Sequence, residues 1–273
     1  MDISGISSRG LVLLGCGKMG SALLEGWLAK GVPPAAFTVI EPKPAARLVA
    51  LEAEGLRLNT APPVSPAVAV LAVKPQMMGD ALPVLAALGG GATLFLSIAA
   101  GTPIAAFEAV LGAGTPIVRA MPNTPAAVGR GITALVGGAA VDAEGMALAE
   151  SLMSAVGQTL RLDDEEQMDA VTAVSGSGPA YVFLLIEALA AAGVAEGLPE
   201  EMAMRLARAT VGGAGLLAET SAESPAQLRI NVTSPAGTTA AGLTVLMREE
   251  DGLPALMREA VAAAAARGRA LRG

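Results

Sequence analysis

The sequence has no histidine and a single cysteine, Cys16, among its 273 residues. Without histidine there is neither a histidine-based catalytic triad nor an imidazole ligand for a metal, and we expect no metal site. One cysteine excludes a disulfide framework and fits a reducing compartment, so we expect a cytoplasmic protein. Any proton chemistry must therefore come from carboxylates, hydroxyls, lysines, Tyr181, the backbone or water.

Basic side chains are also scarce, since 18 Lys and Arg residues stand against 25 Asp and Glu residues and give a formal net charge of −7. No run of Lys or Arg offers the basic patch that binds phosphate backbones, so no nucleic-acid partner is expected. The length is sufficient for two domains of about 100 to 150 residues each.

One long uncharged segment raises the question of a membrane span. Residues 81–107 carry no charged side chain and are long enough to cross a bilayer. Pro83, Pro103 and the three glycines at 89–91 break this segment into a turn, a short strand and a second turn. The N-terminus also lacks the basic start and apolar stretch of a signal peptide. We therefore expect no membrane partner.

From residue 10 to residue 163, short apolar runs alternate with helical patterns, which is typical of a parallel sheet covered by helices. The predicted strands are residues 11–15, 37–40, 56–58, 68–73, 92–97, 116–120, 132–137 and 158–162. Helical patterns cover residues 18–30, 43–54, 77–87 and 142–155. Several strands are apolar on both faces, as buried parallel strands are. We predict the α/β class, with a Rossmann-like doubly wound sheet over residues 10–163.

The acidic stretch at residues 163–167 marks a change of pattern, because no convincing strand follows it. The segment YVFLLIEALAAAG, residues 181–193, has Glu187 as its one charge and must be buried on every side. A helical domain of this size can hardly cover such a helix alone. Residues 164–273 are therefore predicted to form an all-α dimerisation domain, and the protein to be a homodimer or a higher homo-oligomer built from dimers.

A glycine motif, Gly15, Gly17 and Gly20, lies between the first predicted strand and the first predicted helix. In a dinucleotide-binding turn the first glycine makes the turn, the second lets the backbone approach a pyrophosphate, and the third lets helix and strand pack closely. The pyrophosphate then lies at the N-terminus of the helix. The motif predicts a dinucleotide cofactor.

The end of the second strand should decide between NADH and NADPH. Glu41 stands where a carboxylate would bond the ribose hydroxyls of NADH and repel the 2′-phosphate of NADPH. Lys43 and Arg47 are cations that could bind that phosphate and so favour NADPH. Alternatively, they belong to an exposed helix face and have no role in binding. Glu41 favours NADH, and NADPH stays open.

Two polar glycine-rich stretches, SGSGPAY at residues 175–181 and TSPAGTT at residues 233–239, interrupt the apolar chain. In the first, Ser177 can cap a helix whose first turn contains Pro179. In the second, the N–H groups of Gly237, Thr238 and Thr239 can hold a carboxylate at a helix start. Each stretch is either half of a substrate site or a capped helix start and nothing more.

Six motifs together resemble the pyrroline-5-carboxylate reductase family. They are LGCGKMG (14–20), AVKPQ (72–76), SIAAG (97–101), RAMPNTPAAVGRG (119–131), DAVTAVSGSGPAYVF (169–183) and VTSPAGTTAAGL (232–243). The resemblance runs over about residues 10–265. It implies a Rossmann-like domain followed by a helical dimerisation domain, and reduction of the cyclic imine pyrroline-5-carboxylate to proline with NADH or NADPH.

The resemblance also implies roles for individual residues. The backbone around Cys16, Lys18 and Met19 would hold the pyrophosphate, and Asn59 would lie by the adenosine ribose. The other implied cofactor contacts are Ala72, Val73, Lys74, Pro75, Ala99, Ala100, Met121, Asn123 and Asn231. Lys74 is otherwise a loop lysine after a strand, and Asn123 is otherwise part of a rigid turn.

The resemblance points to Thr239 as the hydroxyl that orients or supplies the proton of the imine nitrogen. The implied substrate contacts are Glu165, Ser177, Ser234, Gly237, Thr238 and Thr239. Glu165 is otherwise a solvated charge. Ala236 departs from the family, which commonly has glycine there; if the position needs a positive φ, alanine costs stability and shifts the loop.

Two other functions stay open. A 3-hydroxyacid dehydrogenase of similar architecture would need a catalytic lysine in the second domain, and no lysine follows Lys74. A nucleotide-binding protein without turnover is the second alternative, and the two polar glycine-rich stretches argue against it.

Overall fold

The structure, a computed structural model, describes residues 4–271. Residues 11–161 contain an eight-stranded sheet with the order β3-β2-β1-β4-β5-β6-β7-β8. The strands are β1 (Leu11–Leu14), β2 (Phe37–Ile40), β3 (Arg57–Leu58), β4 (Val68–Leu71), β5 (Leu94–Ser97), β6 (Ile117–Met121), β7 (Gly131–Gly137) and β8 (Gly157–Arg161). All eight predicted strands are confirmed, with ends that differ by at most two residues. The order of the first six strands is that of a doubly wound dinucleotide-binding sheet.

One strand pair departs from the parallel pattern that the sequence predicted. β7 runs antiparallel to β6, with Val118 opposite Gly137, and parallel to β8. Residues 122–130 connect β6 to β7 through a single 3-10 turn, Thr124–Val128, and Gly129 in the left-handed region. This connection is shorter than the dozen or more residues that a parallel crossover needs, so the chain reverses direction.

Two hydrophobic cores fill the two faces of the sheet, which explains why the strands are apolar on both sides. Leu11 and Leu13 of β1 face one core, and Val12 and Leu14 face the other. Trp27 is fully buried in the first core, where its ring stacks on Phe37 at a centroid distance of 6.0 Å.

The helices beside the sheet are α1 (Ser4–Arg9), α2 (Lys18–Ala29), α3 (Ala46–Glu52), α4 (Met78–Ala81), α5 (Ile104–Leu111), α6 (Ala143–Met153) and α7 (Met168–Val171). The helices predicted at 18–30 and 142–155 are confirmed, and the one predicted at 43–54 is shorter. The helix predicted at 77–87 becomes α4 and a 3-10 helix, Leu82–Leu88, because Pro83 cannot donate a hydrogen bond. α1 and α5 were not predicted.

After β8 the described chain is helical, as the sequence predicted. The helices are α8 (Gly178–Ala195), α9 (Glu200–Thr220), α10 (Pro225–Asn231), α11 (Thr238–Leu246) and α12 (Leu253–Leu271). The mutual contacts of the chain group residues 177–264 into one compact unit, and residues 4–176 with residues 265–271 into another. The sequence predicted a boundary near residue 163, whereas the first unit runs to Gly176. The predicted second domain ends at residue 273, which lies outside the described residues.

The last turns of α12 belong to the first unit. A Cβ added to Gly268 would lie 3.2 Å from Asp169 Oδ1, and one added to Gly101 would lie 3.7 Å from the Cβ of Leu271. Residues 265–271 therefore pack against parts of the chain that precede the second unit.

The glycine-rich stretch at residues 175–181 forms no loop, and Pro179 lies in the first turn of α8, as predicted. A π-helical turn, Thr172–Gly176, leads from α7 into α8. Ser177 takes helical dihedrals, φ −85 and ψ −25, and its side chain makes no capping bond. The prediction that Ser177 caps α8 is wrong, because a helix that is already running needs no cap at this point. π-helical turns of this kind are frequent at functional sites.

Within residues 4–271, one helical stretch, Glu165–Ala195, is long and apolar enough to cross a membrane by length and composition alone. Residues 81–107, which raised the question from the sequence, are divided among a 3-10 helix, β5 and α5. In α8 only Ala190 is buried, so the apolar face of this helix is exposed within a single chain.

Candidate functional site

The glycine-rich turn between β1 and α2 has the geometry of a phosphate cradle. Gly15 has φ +88, and a Cβ there would lie 2.8 Å from Val73 Cγ1. A Cβ on Gly20 would lie 2.7 Å from the carbonyl oxygen of Gly15. A Cβ added to Gly17 would meet no atom within 4 Å beyond its neighbours in the chain, so the turn opens to space there. Two glycines are thus required by packing, and the third leaves room for a ligand.

The start of α2 completes this cradle. The helix begins at Lys18 with Gly17 as its N-cap, and no side chain makes a capping bond. The N–H groups of the first turn, including those of Lys18 and Met19, therefore point toward the helix end without a side-chain acceptor. Lys18 is exposed and Met19 is half-buried. The turn fits the pyrophosphate of a dinucleotide.

Glu41 stands beside this cradle at the end of β2. Its Oε2 accepts a hydrogen bond from the Cys16 N–H at 2.8 Å, and its Oε1 accepts one from the Lys43 N–H at 3.0 Å. The residue is partly exposed, so a ligand can reach it. The carboxylate is held by two backbone donors at the position where a ribose is expected.

The side-chain amide of Asn59 binds the main chain of Glu41, which the sequence did not predict. Its Oδ1 accepts a hydrogen bond from the Glu41 N–H at 2.9 Å, and its Nδ2 donates one to the Glu41 carbonyl oxygen at 3.1 Å. The residue has φ 52, in the left-handed region that asparagine tolerates. Its amide binds the main chain of Glu41, whereas the predicted contact with the ribose stays a prediction.

The side chain of Cys16 faces the interior. The residue is 9% exposed, and its Sγ lies 3.5 Å from Ser21 Oγ. Burial raises the pKa of the Cys16 thiol above its usual value, the Ser21 hydroxyl partly opposes this, and the carboxylates of Glu41 and Glu25 add to it. The Cys16 N–H already donates to Glu41 Oε2, so the predicted contact of the Cys16 backbone with the pyrophosphate stays a prediction.

The ends of β4 and β5 lie at the same edge of the sheet as the cradle. Ala72 and Val73 are half-buried against Gly15, and Lys74 and Pro75 are exposed. Lys74 is extended, with φ −63 and ψ 146, as the following proline predicted. After β5, Ala99 is buried and Ala100 is half-buried. The small side chains leave this edge open, which suits the predicted groove.

In the turn after β6, Asn123 has a structural task. Its Oδ1 accepts a hydrogen bond from the Ile132 N–H at 2.9 Å, and the residue is 9% exposed. Asn123 thus joins the turn to β7, as the rigid-turn interpretation expected. Met121 is half-buried, and its Cε lies 2.9 Å from the place where a Cβ on Gly176 would stand. Met121 therefore contacts the π-helical turn.

Glu165 belongs to an ion pair, so its interpretation as a solvated charge is wrong. Its Oε1 accepts hydrogen bonds from Arg119 at 2.6 Å and from the Ile104 N–H at 2.9 Å. The side chain of Arg119 is 3% exposed and that of Glu165 is 28% exposed. Sequence reasoning missed Arg119, although a single arginine within the apolar strand β6 could have indicated a buried partner.

In the second unit, the start of α11 carries the predicted substrate residues. Gly237 is the N-cap without a side-chain cap, and Thr238 and Thr239 begin the helix with exposed side chains. The N–H of Gly237 donates to the Ser234 carbonyl oxygen at 3.1 Å, so the prediction that this N–H holds a carboxylate is wrong. The N–H groups of Thr238 and Thr239 stay at the helix end.

The turn before α11 is held in an unusual conformation. Ala236 has φ 56, so the positive φ suspected from the sequence is confirmed. A Cβ on Gly237 would collide with Ser234 Oγ, so a larger residue there requires the Ser234 side chain to rotate.

Asn231, at the end of α10, is exposed. Its Nδ2 donates to Glu223 Oε2 at 2.9 Å, and its Oδ1 accepts from Gln227 Nε2 at 2.7 Å. Its predicted cofactor contact stays a prediction. Asn231, Ser177, Ser234, Gly237, Thr238 and Thr239 lie in the second unit, and the other predicted site residues lie in the first.

A doubly wound sheet with a glycine cradle after β1 and a carboxylate after β2 defines a dinucleotide-dependent oxidoreductase of the Rossmann type. Two family models agree: residues 10–101 match NADP oxidoreductase, coenzyme F420-dependent, and residues 165–271 match pyrroline-5-carboxylate reductase dimerisation. Pyrroline-5-carboxylate reductase of Pseudomonas aeruginosa is 43% identical over 265 residues, which cover 96% of each chain. The chain belongs to the pyrroline-5-carboxylate reductase family.

Solved structures of the same family resemble this chain in fold over nearly its whole length. A pyrroline-5-carboxylate reductase from Coxiella burnetii is 36% identical, with a TM-score of 0.90 over 97% of this chain and 99% of the other. Pyrroline carboxylate reductase of Plasmodium falciparum, solved with NADP bound, is 29% identical, with a TM-score of 0.82 over 98% and 99%. The predicted family, fold class and NAD(P)H cofactor class are confirmed.

Proposed function

We propose that this chain reduces the C=N bond of L-1-pyrroline-5-carboxylate and forms L-proline, with NADH or NADPH as the reductant. The observation that carries the proposal is the 43% identity to a reductase of that name over 96% of both chains. The lack of any lysine after Lys74 argues against a lysine-dependent 3-hydroxyacid dehydrogenase.

The cofactor residues of the proposal lie in the first unit. When bound, the reduced nicotinamide supplies the hydride. The N–H groups at the start of α2 hold the pyrophosphate over the open space at Gly17, and Glu41 faces the adenosine ribose. The small residues after β4 and β5 line the groove that the dinucleotide follows.

The substrate residues of the proposal lie mostly in the second unit. The N–H groups of Thr238 and Thr239 hold the carboxylate of the ring at the start of α11, where the helix dipole favours an anion. The hydroxyl of Thr239 orients or supplies the proton at the imine nitrogen. Ser234 and Ser177 are the further polar contacts. Glu165, whose Oε1 binds Arg119, is the remaining predicted substrate contact.

The assembly of the proposal is a homodimer or a higher oligomer built from dimers. The exposed apolar face of α8 lies within residues 165–271, which match the dimerisation model. A second copy of the chain that covers this face removes large apolar side chains from water. We also propose that the protein acts in the cytoplasm, which the single cysteine supports, and without a nucleic-acid partner, which the net charge of −7 supports. We propose no membrane partner either, because the apolar stretch Glu165–Ala195 lies within the residues that match the dimerisation model.

The test is steady-state reduction of pyrroline-5-carboxylate with NADH and NADPH in parallel. We expect imine-dependent oxidation of at least one cofactor and formation of one proline for each cofactor oxidised, measured by mass spectrometry. A 3-hydroxy acid with the oxidised cofactor serves as the control substrate and should not react. A folded protein that oxidises neither cofactor in the presence of the imine would contradict the proposal.

A further inference from the structure

The side chain of Asn59 forms two hydrogen bonds with the main chain of Glu41. Its Oδ1 and Nδ2 bind the N–H and the carbonyl oxygen of that one residue, at 2.9 Å and 3.1 Å. The N–H of Asn59 in turn donates to the Val39 carbonyl oxygen at 2.8 Å, which continues the pairing of β3 with β2. Asn59 thus fixes the backbone of Glu41 to the sheet after the last strand pair has ended.

The carboxylate of Glu41 is fixed from its other end. The N–H groups of Cys16 and Lys43 each bind one of its two oxygens. A carboxylate offers about four acceptor sites, so about one site stays open on each oxygen. Two open sites match the two neighbouring hydroxyls of the adenosine ribose in NADH.

A 2′-phosphate fits the same arrangement poorly. It replaces one hydroxyl donor by a group that carries about −1.5 to −2 charges near pH 7. A mobile carboxylate could turn away from that charge, whereas a carboxylate held at both oxygens and at its main chain cannot. Two cations could offset the repulsion. Arg47 is paired with Glu25 at 2.9 Å and Glu54 at 3.6 Å, whereas Lys43 is exposed and is the one that would have to meet the phosphate.

We propose that Asn59 is a positioning residue that makes this protein favour NADH over NADPH, because it holds Glu41 where the carboxylate meets the ribose hydroxyls and repels a 2′-phosphate. The proposal rests on the proposed function, since it needs a dinucleotide on the glycine cradle. Its test therefore measures cofactor binding in addition to turnover.

The first measurement is the dissociation constant of NADH and of NADPH, obtained by fluorescence titration without the imine. Asn59→Gly is the informative variant, because glycine accepts φ 52 without strain and only the amide is lost. We expect the parent to bind NADH at least about tenfold more tightly than NADPH, and the variant to lose at least about fivefold of that preference. The neighbouring exposed Thr60 provides the control, and Thr60→Ala should keep the parent's ratio.

A double-mutant cycle with Glu41→Ser separates positioning from direct contact. Glu41→Ser should itself abolish most of the preference. If Asn59 acts through Glu41, then Asn59→Gly changes the ratio no further in the Glu41→Ser background. A second shift of the same size in that background would mean that Asn59 reads the cofactor directly, and the proposal would be wrong.

Circular dichroism melting establishes that each variant is folded. Asn59→Ser is the second variant, because its short side chain cannot bridge both main-chain groups of Glu41, and it should shift the ratio in the same direction. Equal affinity of the parent for both cofactors, or an unchanged ratio in both variants, overturns the proposal. If the protein reduces the imine but the variants keep the parent's ratio of NADH to NADPH affinity, only the proposed role of Asn59 is wrong. If the ratio of NADH to NADPH affinity shifts but the imine is not reduced, only the proposed reaction is wrong.

Discussion

The two units differ in how completely each covers its own apolar side chains. Val12 and Phe95 in the sheet of the first unit are 0% exposed, whereas Phe183 and Leu184 on α8 of the second unit are 57% and 64% exposed. An apolar run therefore has two meanings in this chain. In the first unit it marks a core that one chain closes, and in the second it marks a surface that needs a partner.

The two units also differ at the helix starts that are proposed to bind anions. In the first unit a glycine, Gly15, has the positive φ that the turn requires, whereas in the second unit an alanine, Ala236, has it. The backbone of the turn before α2 is unstrained at Gly15. The turn before α11 is strained at Ala236, because an L side chain in the left-handed region costs about 1 to 2 kcal/mol.

The largest expected effect is on assembly. Phe183→Glu places a charge on the exposed apolar face of α8, and a charge buried at an interface without a partner is costly. We expect the parent to be a homo-oligomer and the variant to be a monomer at micromolar concentration, measured by light scattering. The affinity of the first unit for dinucleotide should change by less than about twofold.

The control for that prediction is Val64→Glu, since Val64 is 97% exposed in the first unit and its variant should stay oligomeric. A parent protein that scatters as a 27.0 kDa monomer would remove the contrast between the two units.

The second effect concerns the cradle of the first unit. Gly17→Val fills the space where nothing lies within 4 Å, so the fold should survive while dinucleotide affinity falls by about a hundredfold, or about 2.7 kcal/mol. Titration calorimetry measures the affinity. Gly15→Ala is the contrasting variant, because it meets Val73 at 2.8 Å and should lower the melting temperature as well. Unchanged affinity in a folded Gly17→Val protein would exclude the cradle as the cofactor site.

The third effect concerns the hydroxyl at the start of α11. Thr239→Val keeps the shape of the side chain and removes its hydroxyl. If this hydroxyl serves the imine nitrogen, kcat should fall by roughly ten- to a hundredfold, about 1.4 to 2.7 kcal/mol, while dinucleotide affinity barely changes.

Thr244→Val is the matched control for Thr239, because its hydroxyl donates to the Ala240 carbonyl oxygen of the same helix at 3.0 Å. This control should keep the parent's kcat within a factor of two. If Thr239→Val also stays within a factor of two, Thr239 is only a helix-start residue, and water or another group handles the proton.

The smallest effect tests the strain at Ala236. Ala236→Gly should raise the free energy of unfolding by about 1 kcal/mol, because glycine adopts φ 56 without a steric cost. Thermal melting measures the change. Ala240→Gly, inside α11, should lower the stability by about the same amount. A variant at Ala236 that is less stable than its parent would show that the turn carries no strain.

Local pattern predicted most of the fold, because strands such as β1 and β4 are apolar over their whole length and the glycine motif follows β1 directly. The direction of β7 was less accessible, since a strand's own residues do not specify parallel or antiparallel pairing. The π-helical turn was also missed. Serine, glycine and proline are typical of loops, and only the helix before them shows that Thr172–Gly176 continues it.

In the candidate site, residue types were easier to predict than their partners. Glu41 lies where the motif placed it, but its bonds to Cys16 and Lys43 depend on three separate segments meeting in space. The same holds for Arg119 and Glu165, which are 46 residues apart in the chain. Periodicity describes one segment at a time, and these contacts join segments.

The packing of residues 265–271 against Asp169 and Gly101 has a consequence for the newborn chain. A ribosome adds about 5 to 20 residues per second, so these residues emerge roughly 5 to 20 seconds after Gly176. During that interval the second unit is translated in full while Asp169 and Gly101 still lack their neighbours. The unit that begins first along the chain is therefore completed last. A stall in translation before residue 265 leaves the sheet complete but leaves Asp169 and Gly101 without the contacts that residues 265–271 supply.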